Sequence, residues 1–235
     1  MDISKVPHLT SRLTLVMSYE QNHLLYDYYN FPEEMYRVKF ESKGSAKVAS
    51  RIVELLTRNN ILTRTLKQGR GLDHGVFVPF KLMFPNPCPI PIVEVSMDGS
   101  LDPQRLLELG RALAPLRYIF LMTLDLTNRD EGIVLLSGGL TIHTFREMNA
   151  WDPNTAPEGF KDFERSVVQS VQSPNASERN EYMKQLTLHP YFKRAHPREE
   201  HFVPIYIAAG AGSLEGDRAS VLADIHSAIS IAFGV

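Results

Sequence analysis

Short apolar blocks alternate with amphipathic segments along this chain, and that alternation is what most constrains its fold. The block IPIVEVSM, residues 90–97, is short, bounded by prolines and rich in β-branched residues, as buried strands often are. A second apolar block, GIVLLSGG at 132–139, ends on glycines. Between the two, Asp102 followed by Pro103 favours the start of a helix. Strand, helix and strand in this order predict an α/β fold, with a central mixed sheet flanked by helices.

Amphipathic periodicity predicts the helices. Residues 45–59 place apolar side chains on one helical face, with Ser45 as the N-cap. The loop at 151–159 leads into a second such stripe at 160–171, and residues 173–180 predict a turn and the start of another helix. No repeat or linker divides the chain, so we expect a single domain. The apolar positions of the stripes are Val48, Ile52, Leu55 and Leu56, then Leu106, Leu109 and Leu113, then Phe160, Phe163, Val167 and Val171.

Composition excludes several classes of partner. Among 235 residues, 25 Lys and Arg stand against 27 Asp and Glu, so no basic excess exists to neutralise phosphates and nucleic acid is not an expected partner. A single cysteine, Cys88, cannot form an internal disulfide, which favours a reducing compartment. The first residues lack a signal-peptide pattern, and no stretch reaches the roughly 20 apolar residues of a membrane span. We therefore expect a cytoplasmic protein without a membrane partner.

Familiar catalytic motifs are absent, which leaves the histidines as the chemical signal. The sequence has no HExxH, Walker, GxSxG or paired CxxC motif, and HPREEH at 196–201 is one residue too long for HxxEH. His74 follows a glycine turn, His143 follows a predicted strand, and His201 precedes an apolar segment. In open α/β folds such positions can converge on one ligand pocket. For Asp73 and His74, between two glycines, a polar turn before a core segment is the alternative.

An ordered set of blocks resembles a known family. The blocks are YDYYNFPEEMYRVKF, GLDHGVFVPFKLMFP, IPIVEVSM, GGLTIHTFR and HPREEHFVPIYIAAGA. In this order they are similar to the class III extradiol ring-cleaving dioxygenases, in the LigB-like branch of DOPA 4,5-dioxygenase type. The resemblance runs from about residue 22 to the C-terminus. It implies an enzyme that cleaves a catechol-type ring with O₂ beside its two hydroxyls, using non-haem Fe(II), or zinc at the same site.

The resemblance also implies roles for individual residues. His201 matches the late metal-binding histidine of the family, and His143 matches the histidine beside the metal, so we expect both as metal-binding residues. His143 and His74 are expected to carry the acid–base chemistry, because an imidazole can accept and return a catechol proton near neutral pH. Asp73 and His74 match the block that lines the substrate pocket.

Other candidates receive lesser roles. His196 is expected to be a loop histidine or helix cap, and His189 and His226 to be surface or packing residues on helices. One aromatic cluster could roof an aromatic substrate, although such clusters more often belong to the core. Its members are Tyr26, Tyr28, Tyr29 and Phe31.

The N-terminal residues depart from the family pattern. Family members begin with a GHGSP-like turn and a later SAHW-like block, which supply two more metal histidines, whereas residues 1–21 contain only His8 and resemble neither block. We therefore expect a divergent or truncated segment at 1–21 and a catalytic domain at 22–235. Two hypotheses remain: an extradiol dioxygenase, or an inactive relative that keeps the fold to bind a small aromatic molecule or a protein. The sequence identifies neither the catechol nor the oligomeric state.

Overall fold

The computed structural model describes residues 12–117 and 133–235. By its contacts the chain divides into two compact units, residues 1–100 and 101–235, and each is described by itself. Both units mix helices with short strands, so the predicted α/β class is confirmed. Within the described ranges the strands form two separate two-stranded sheets, and the expected central mixed sheet is not among them.

The first unit pairs two strands and packs a helix against them. Its elements are β1 (Thr14–Met17), a 3₁₀ turn (Glu33–Arg37), α1 (Ala46–Arg58), β2 (Thr63–Leu66) and α2 (His74–Met83). Strands β1 and β2 are parallel, with Thr14 opposite Thr63. The helix predicted at 45–59 is confirmed as α1, and the Ser45 hydroxyl accepts a hydrogen bond from the Val48 N–H at 3.2 Å. Its apolar stripe buries Ile52 and Leu56, as the periodicity indicates.

The prediction of a strand at 90–97 is wrong. Only Val95 forms a bridge with β1, antiparallel to Val16, and the rest of the segment is irregular. Pro91 lacks an N–H and cannot take part in a regular ladder. The segment is held instead by separate hydrogen bonds, from the Met17 N–H to the Glu94 carbonyl at 2.9 Å and from the Ser96 N–H to the Leu15 carbonyl at 2.8 Å.

The aromatic block of the first unit lies mostly in its core. Tyr28 is 9% exposed and joins a buried cluster, and Tyr26 packs against it. Tyr29 and Phe31 are exposed. Tyr26 and Tyr28 therefore belong to the core, which was the alternative to a role in covering the substrate. The buried members of the cluster are Tyr28, Phe40, Leu72, Phe77, Cys88 and Ile92.

The second unit is mainly helical. Its helices are α3 (Pro103–Leu113), α4 (Glu158–Ser170), α5 (Ala176–Gln185), α6 (Phe192–Ala195) and α7 (Pro204–Ala211), with 3₁₀ turns at Ala114–Leu116, Met148–Trp151, Leu186–Leu188 and Glu199–His201. Strands β3 (Ala219–Ala223) and β4 (Ser230–Phe233) form an antiparallel pair. The three helices predicted after residue 101 are confirmed, and the Asp102 carboxylate accepts the Gln104 N–H at the start of α3.

The second predicted strand, at 132–138, is also wrong where the structure describes it. Residue 132 lies outside the described ranges, and residues 133–139 are irregular. Their apolar side chains include the exposed Val134 and Leu136, so the block does not build a buried strand. No helix in the described parts of the chain is long and apolar enough to cross a membrane.

Two glycines let α3 and α7 pack with their backbones in contact. A Cβ on Gly110 would collide with the carbonyl oxygen of Ile207, and a Cβ on Gly210 would collide with that of Leu107. Because neither glycine carries a side chain, the two helices approach far more closely than helices separated by side chains. This contact anchors α7, which follows the segment that bears His201.

Candidate functional site

The segment that carries His143 has no regular secondary structure and is held by backbone hydrogen bonds on both sides. The N–H groups of Leu140 and His143 donate to the carbonyls of His201 and Ala195, at 2.8 and 2.9 Å. The Thr141 N–H donates to the Ser227 carbonyl at 2.9 Å. These bonds fix the register between the segment and the 195–201 region, which are far apart in sequence.

Gly139 permits the close approach at the start of this segment. Its φ is +157°, and a Cβ there would lie 2.7 Å from the His201 carbonyl oxygen. That distance is too short for any side chain, so the position requires glycine. Gly139 therefore serves the contact between the His143 and His201 segments rather than the end of a strand.

His143 and His201 lie against each other, as expected. Their ring centroids are 3.7 Å apart with an interplanar angle of 22°, so the imidazoles are stacked. Phe145 and Trp151 pack edge to face with His143, with ring centroids 5.2 and 6.0 Å from that of His143. The Trp151 indole N–H donates to the Thr144 carbonyl at 2.7 Å, which fixes that ring. Two of the histidines predicted for the site thus share one aromatic environment.

The stacked pair does not by itself form a metal site. A metal bound to an imidazole lies in the ring plane about 2 Å from the nitrogen. Rings stacked with nearly parallel planes have no common point close to a nitrogen of each, so His143 and His201 do not converge on one ion in this arrangement. Among the described residues, no group of three or more His, Cys, Asp or Glu side chains could hold a metal. In this arrangement His143 and His201 alone therefore do not form the metal site that we expect from the sequence.

His196 lies behind the pair and is fully buried. It ends α6, so the expectation of a helix cap is confirmed, but its burial was not anticipated. Its Nε2 donates to the Thr141 carbonyl at 2.9 Å, because a carbonyl can only accept. The pKa of His196 is lowered to about 4, chiefly by burial; the hydrogen bond with Thr141 opposes this shift, and the nearby His143 and His201 act in the same direction as burial. The neutral ring supports the segment that carries His143.

A buried carboxylate ties the same segment to the C-terminal region. Glu164 Oε1 accepts from the Thr141 hydroxyl at 2.6 Å and from the Ser227 N–H at 2.7 Å. Its Oε2 lies 2.5 Å from His226 Nδ1, and His226 Nε2 lies 2.9 Å from the Ala150 carbonyl. We refer to Glu164, His226, Thr141 and Ser227 as the Glu164 network.

The placement of His189 and His226 on helices is wrong. His189 follows the 3₁₀ turn Leu186–Leu188, and His226 lies in the turn between β3 and β4. Both are mostly buried, with exposed side-chain fractions of 14% and 12%, so the expected packing role holds. Glu164 was missed as a candidate, although a charged residue on the buried stripe of α4 is a readable signal.

Asp73 and His74 begin α2 in the first unit. His74 is the first helical residue and Asp73 the residue before it. The Asp73 carboxylate does not cap the helix but pairs with Arg70 at 2.8 Å. His74 contacts a residue that the sequence reasoning did not select, because Asp27 Oδ1 lies 2.7 Å from its Nδ1 and accepts its main-chain N–H at 3.1 Å. The expected polar turn is present, and it is part of a wider charged cluster.

Glu94 completes this charged cluster. It is 8% exposed, accepts the Asp73 N–H at 3.3 Å and lies 3.4 Å from the Arg70 guanidinium. The pKa of Glu94 is raised to about 7, chiefly by burial; the negative charge of Asp73 acts in the same direction, and Arg70 opposes the rise. Titratable groups with pKa values moved toward neutrality are frequent at functional sites.

The structure describes the two groups of candidate residues in different units. Asp73 and His74 belong to residues 1–100, whereas His143 and His201 belong to residues 101–235. A common cavity for all three histidines stays a prediction. An open hollow of about 430 Å³ lies against α4 in the second unit, and its lining includes Glu164 and His226 but none of the predicted site histidines.

Comparison with known proteins identifies the family. Residues 6–234 match the family model described as the catalytic LigB subunit of aromatic ring-opening dioxygenase. A 4,5-DOPA dioxygenase extradiol-like protein of Schizosaccharomyces pombe is 44% identical over 92% of this chain and 67% of its own length. The 4,5-DOPA dioxygenase extradiol of Beta vulgaris is 31% identical over 86% of this chain and 68% of its own.

A solved structure agrees with the sequence match. The crystal structure of an uncharacterized protein from Escherichia coli K12 aligns with a TM-score of 0.70 and 26% identity, over 94% of this chain and 80% of that one. The family match spans both compact units, so the two groups of candidate residues lie within one matched region. The chain belongs to the LigB family of aromatic ring-opening dioxygenases.

Proposed function

We propose that this protein is an extradiol dioxygenase that opens a catechol-type aromatic ring with O₂. The observation that carries the proposal is the stacked His143–His201 pair, which lies within the region matched to aromatic ring-opening dioxygenases. In such a reaction both atoms of O₂ enter the product. The bond that breaks joins one hydroxyl-bearing ring carbon to the adjacent ring carbon that has no hydroxyl. A catechol hydroxyl must lose its proton before the ring opens, and an imidazole is suited to accept it.

In this proposal His143 and His74 hold and return protons, and Asp73 with His74 orients the substrate. Phe145 and Trp151 beside His143 offer aromatic faces and edges for a flat substrate. The proposed catalytic domain comprises residues 22–235, and the proposed location is the cytoplasm. Both of these rest on the sequence.

Non-haem Fe(II), or zinc at the same site, remains part of the proposal. Its support is the family resemblance, and His201 and His143 are the described residues that we assign to it. Because the stacked pair does not converge on an ion, this part of the proposal requires a turned ring and further ligands beyond those that the structure describes. Metal analysis of purified His201→Ala against the unsubstituted protein tests it, since equal metal content would remove His201 from the ligand set.

A second function is favoured by one observation. No group of three metal-binding side chains lies within the described ranges, which suits an inactive relative that binds a small aromatic molecule or a protein. The two functions differ in oxygen consumption. An oxygen electrode with a panel of catechols, with iron and ascorbate added, measures turnover, and calorimetry with the same catechols measures binding.

We expect oxygen uptake in a one-to-one ratio with a ring-opened yellow product. His143→Ala should lower turnover by at least about a hundredfold if its ring moves protons. His23→Ala is the matched control, because His23 is an exposed histidine in a segment without a predicted role. Catechol binding without oxygen uptake would refute the dioxygenase and support the binding function.

A further inference from the structure

We propose that Asp27 is a positioning residue that fixes the tautomer of His74 and leaves Nε2 as the atom that exchanges protons with the substrate. The inference rests on the proposed dioxygenase function, which it deepens. Asp27 lies in the aromatic block of the first unit and is 47 residues from His74 in sequence. Nothing in its local sequence pattern marks it as a functional carboxylate.

Three contacts hold His74, two of them through its imidazole. Asp27 Oδ1 lies 2.7 Å from Nδ1, and the same oxygen accepts the His74 main-chain N–H at 3.1 Å. The ring of Tyr28 meets the His74 ring edge to face, with centroids 5.6 Å apart and an angle of 88°. The main-chain bond holds the start of α2 against Asp27, so the imidazole is already placed beside the carboxylate.

The direction of the hydrogen bond determines the tautomer. An ionised carboxylate only accepts hydrogen bonds, so the proton of neutral His74 must lie on Nδ1. Nε2 is then the atom that gains or loses a proton. The His74 side chain is 41% exposed and that of Asp27 is 17% exposed, so the carboxylate is the more shielded member of the pair.

The surrounding charges favour the same arrangement. The hydrogen bond with Asp27 raises the pKa of His74, burial opposes the rise, and the charges of Asp27 and Asp73 add to it. Burial alone would raise the pKa of Asp27, but the hydrogen bonds from His74 outweigh it and lower that pKa. Beyond these groups lie Glu94 and Arg70, which pair with each other, and the Tyr28 phenol.

The proton balance of the proposed step is simple. A hydroxyl proton of the catechol passes to Nε2, and the ring becomes an imidazolium opposite the Asp27 carboxylate. The same proton later leaves Nε2 for an oxygen of the ring-opened product. The proton on Nδ1 stays in its hydrogen bond throughout, so Asp27 is never protonated and acts only through His74.

The first test measures the tautomer and needs no catalytic activity. Nitrogen-15 NMR of the wild-type protein should show neutral His74 with its proton on Nδ1, with the signal assigned by its loss in His74→Gln. Asp27→Asn keeps the shape of the side chain but removes its charge, so the titration midpoint of His74 should fall. Asp162→Asn is the matched control. Asp162 lies on the exposed surface of α4, and its carboxylate makes a comparable contact of 3.3 Å with His189.

The second test measures turnover. Asp27→Asn should lower kcat at least about tenfold with KM for the catechol changed less than about twofold, and the acidic limb of the kcat profile should move to lower pH together with the NMR midpoint. Asp162→Asn should change neither quantity.

Each outcome is informative. A proton on Nε2 of neutral wild-type His74, or an unchanged midpoint in Asp27→Asn, refutes the positioning role whatever the activity. Unchanged kcat in Asp27→Asn, with an active wild type, refutes its catalytic meaning while the dioxygenase function stands. A wild type that opens no catechol refutes the dioxygenase function and the catalytic part of this inference together, and the NMR result then decides the tautomer alone.

Discussion

Removing the Glu164 carboxylate should destabilise the second unit more than any exposed charge on the same helix. In Glu164→Ala the Thr141 hydroxyl and the Ser227 N–H lose their acceptor at once, and His226 loses its contact at Nδ1. A buried polar group without a partner costs about 1–3 kcal/mol, so two such groups together cost about 2–6 kcal/mol. Because water can reach part of the vacated space, we expect a loss of about 3–5 kcal/mol in the free energy of unfolding.

Urea unfolding at neutral pH measures this loss. Trp151 is the single tryptophan of the chain and lies in the second unit, so its fluorescence reports on the relevant part. Glu158→Ala is the matched control, because Glu158 is on α4 and forms an exposed pair with Arg165 that should contribute at most about 1 kcal/mol. Glu164→Gln should fall between the two, since its amide oxygen can still accept from Thr141 and Ser227. If Glu164→Ala costs no more than Glu158→Ala, the Glu164 network does not stabilise the fold.

Three further predictions concern pH and packing. Because the folded-state pKa of Glu94 is raised from 4.5 to about 7, the free energy of unfolding should fall by roughly 3 kcal/mol as pH rises through that window. Glu94→Gln should not show this fall when urea unfolding is followed by circular dichroism at the low and the high pH. His196 has the opposite sign: its pKa is lowered from 6.5 to about 4, so stability should fall by roughly 3 kcal/mol as pH drops through that window, and a profile of His196→Gln as steep as wild type would contradict this. Gly210→Ala should lower the melting temperature strongly, because its methyl group would collide with the Leu107 carbonyl, whereas an unchanged value would mean that α3 and α7 separate easily.

The helices could be predicted from the sequence because their apolar stripes repeat with the helical period. α1, α3 and α4 each bury the face that the periodicity indicates. The strands could not be predicted in the same way. The apolar block at 90–97 owes its burial to separate hydrogen bonds, and the described part of 132–139 is exposed in places, so a run of apolar residues did not distinguish a strand from an irregular segment.

The site was predictable only in part. His143 and His201 were brought together by resemblance to a family, and the structure places them in contact. Asp27 and Glu94 were missed because each is an isolated carboxylate in an apolar or aromatic stretch, and their partners are set by tertiary contacts. His196 was assigned its place as a cap, but its burial depends on the packing of aromatic rings from three parts of the chain.

The backbone hydrogen bonds around residues 139–143 also bear on how such a protein changes over generations. The positions of residues 143 and 201 are set by the N–H of the first and the carbonyl of the second, and among the amino acids only proline lacks the N–H. A different side chain at either position would therefore be presented at nearly the same point in space. Single substitutions at these two positions can therefore change the chemistry of this region while the backbone that holds it stays the same.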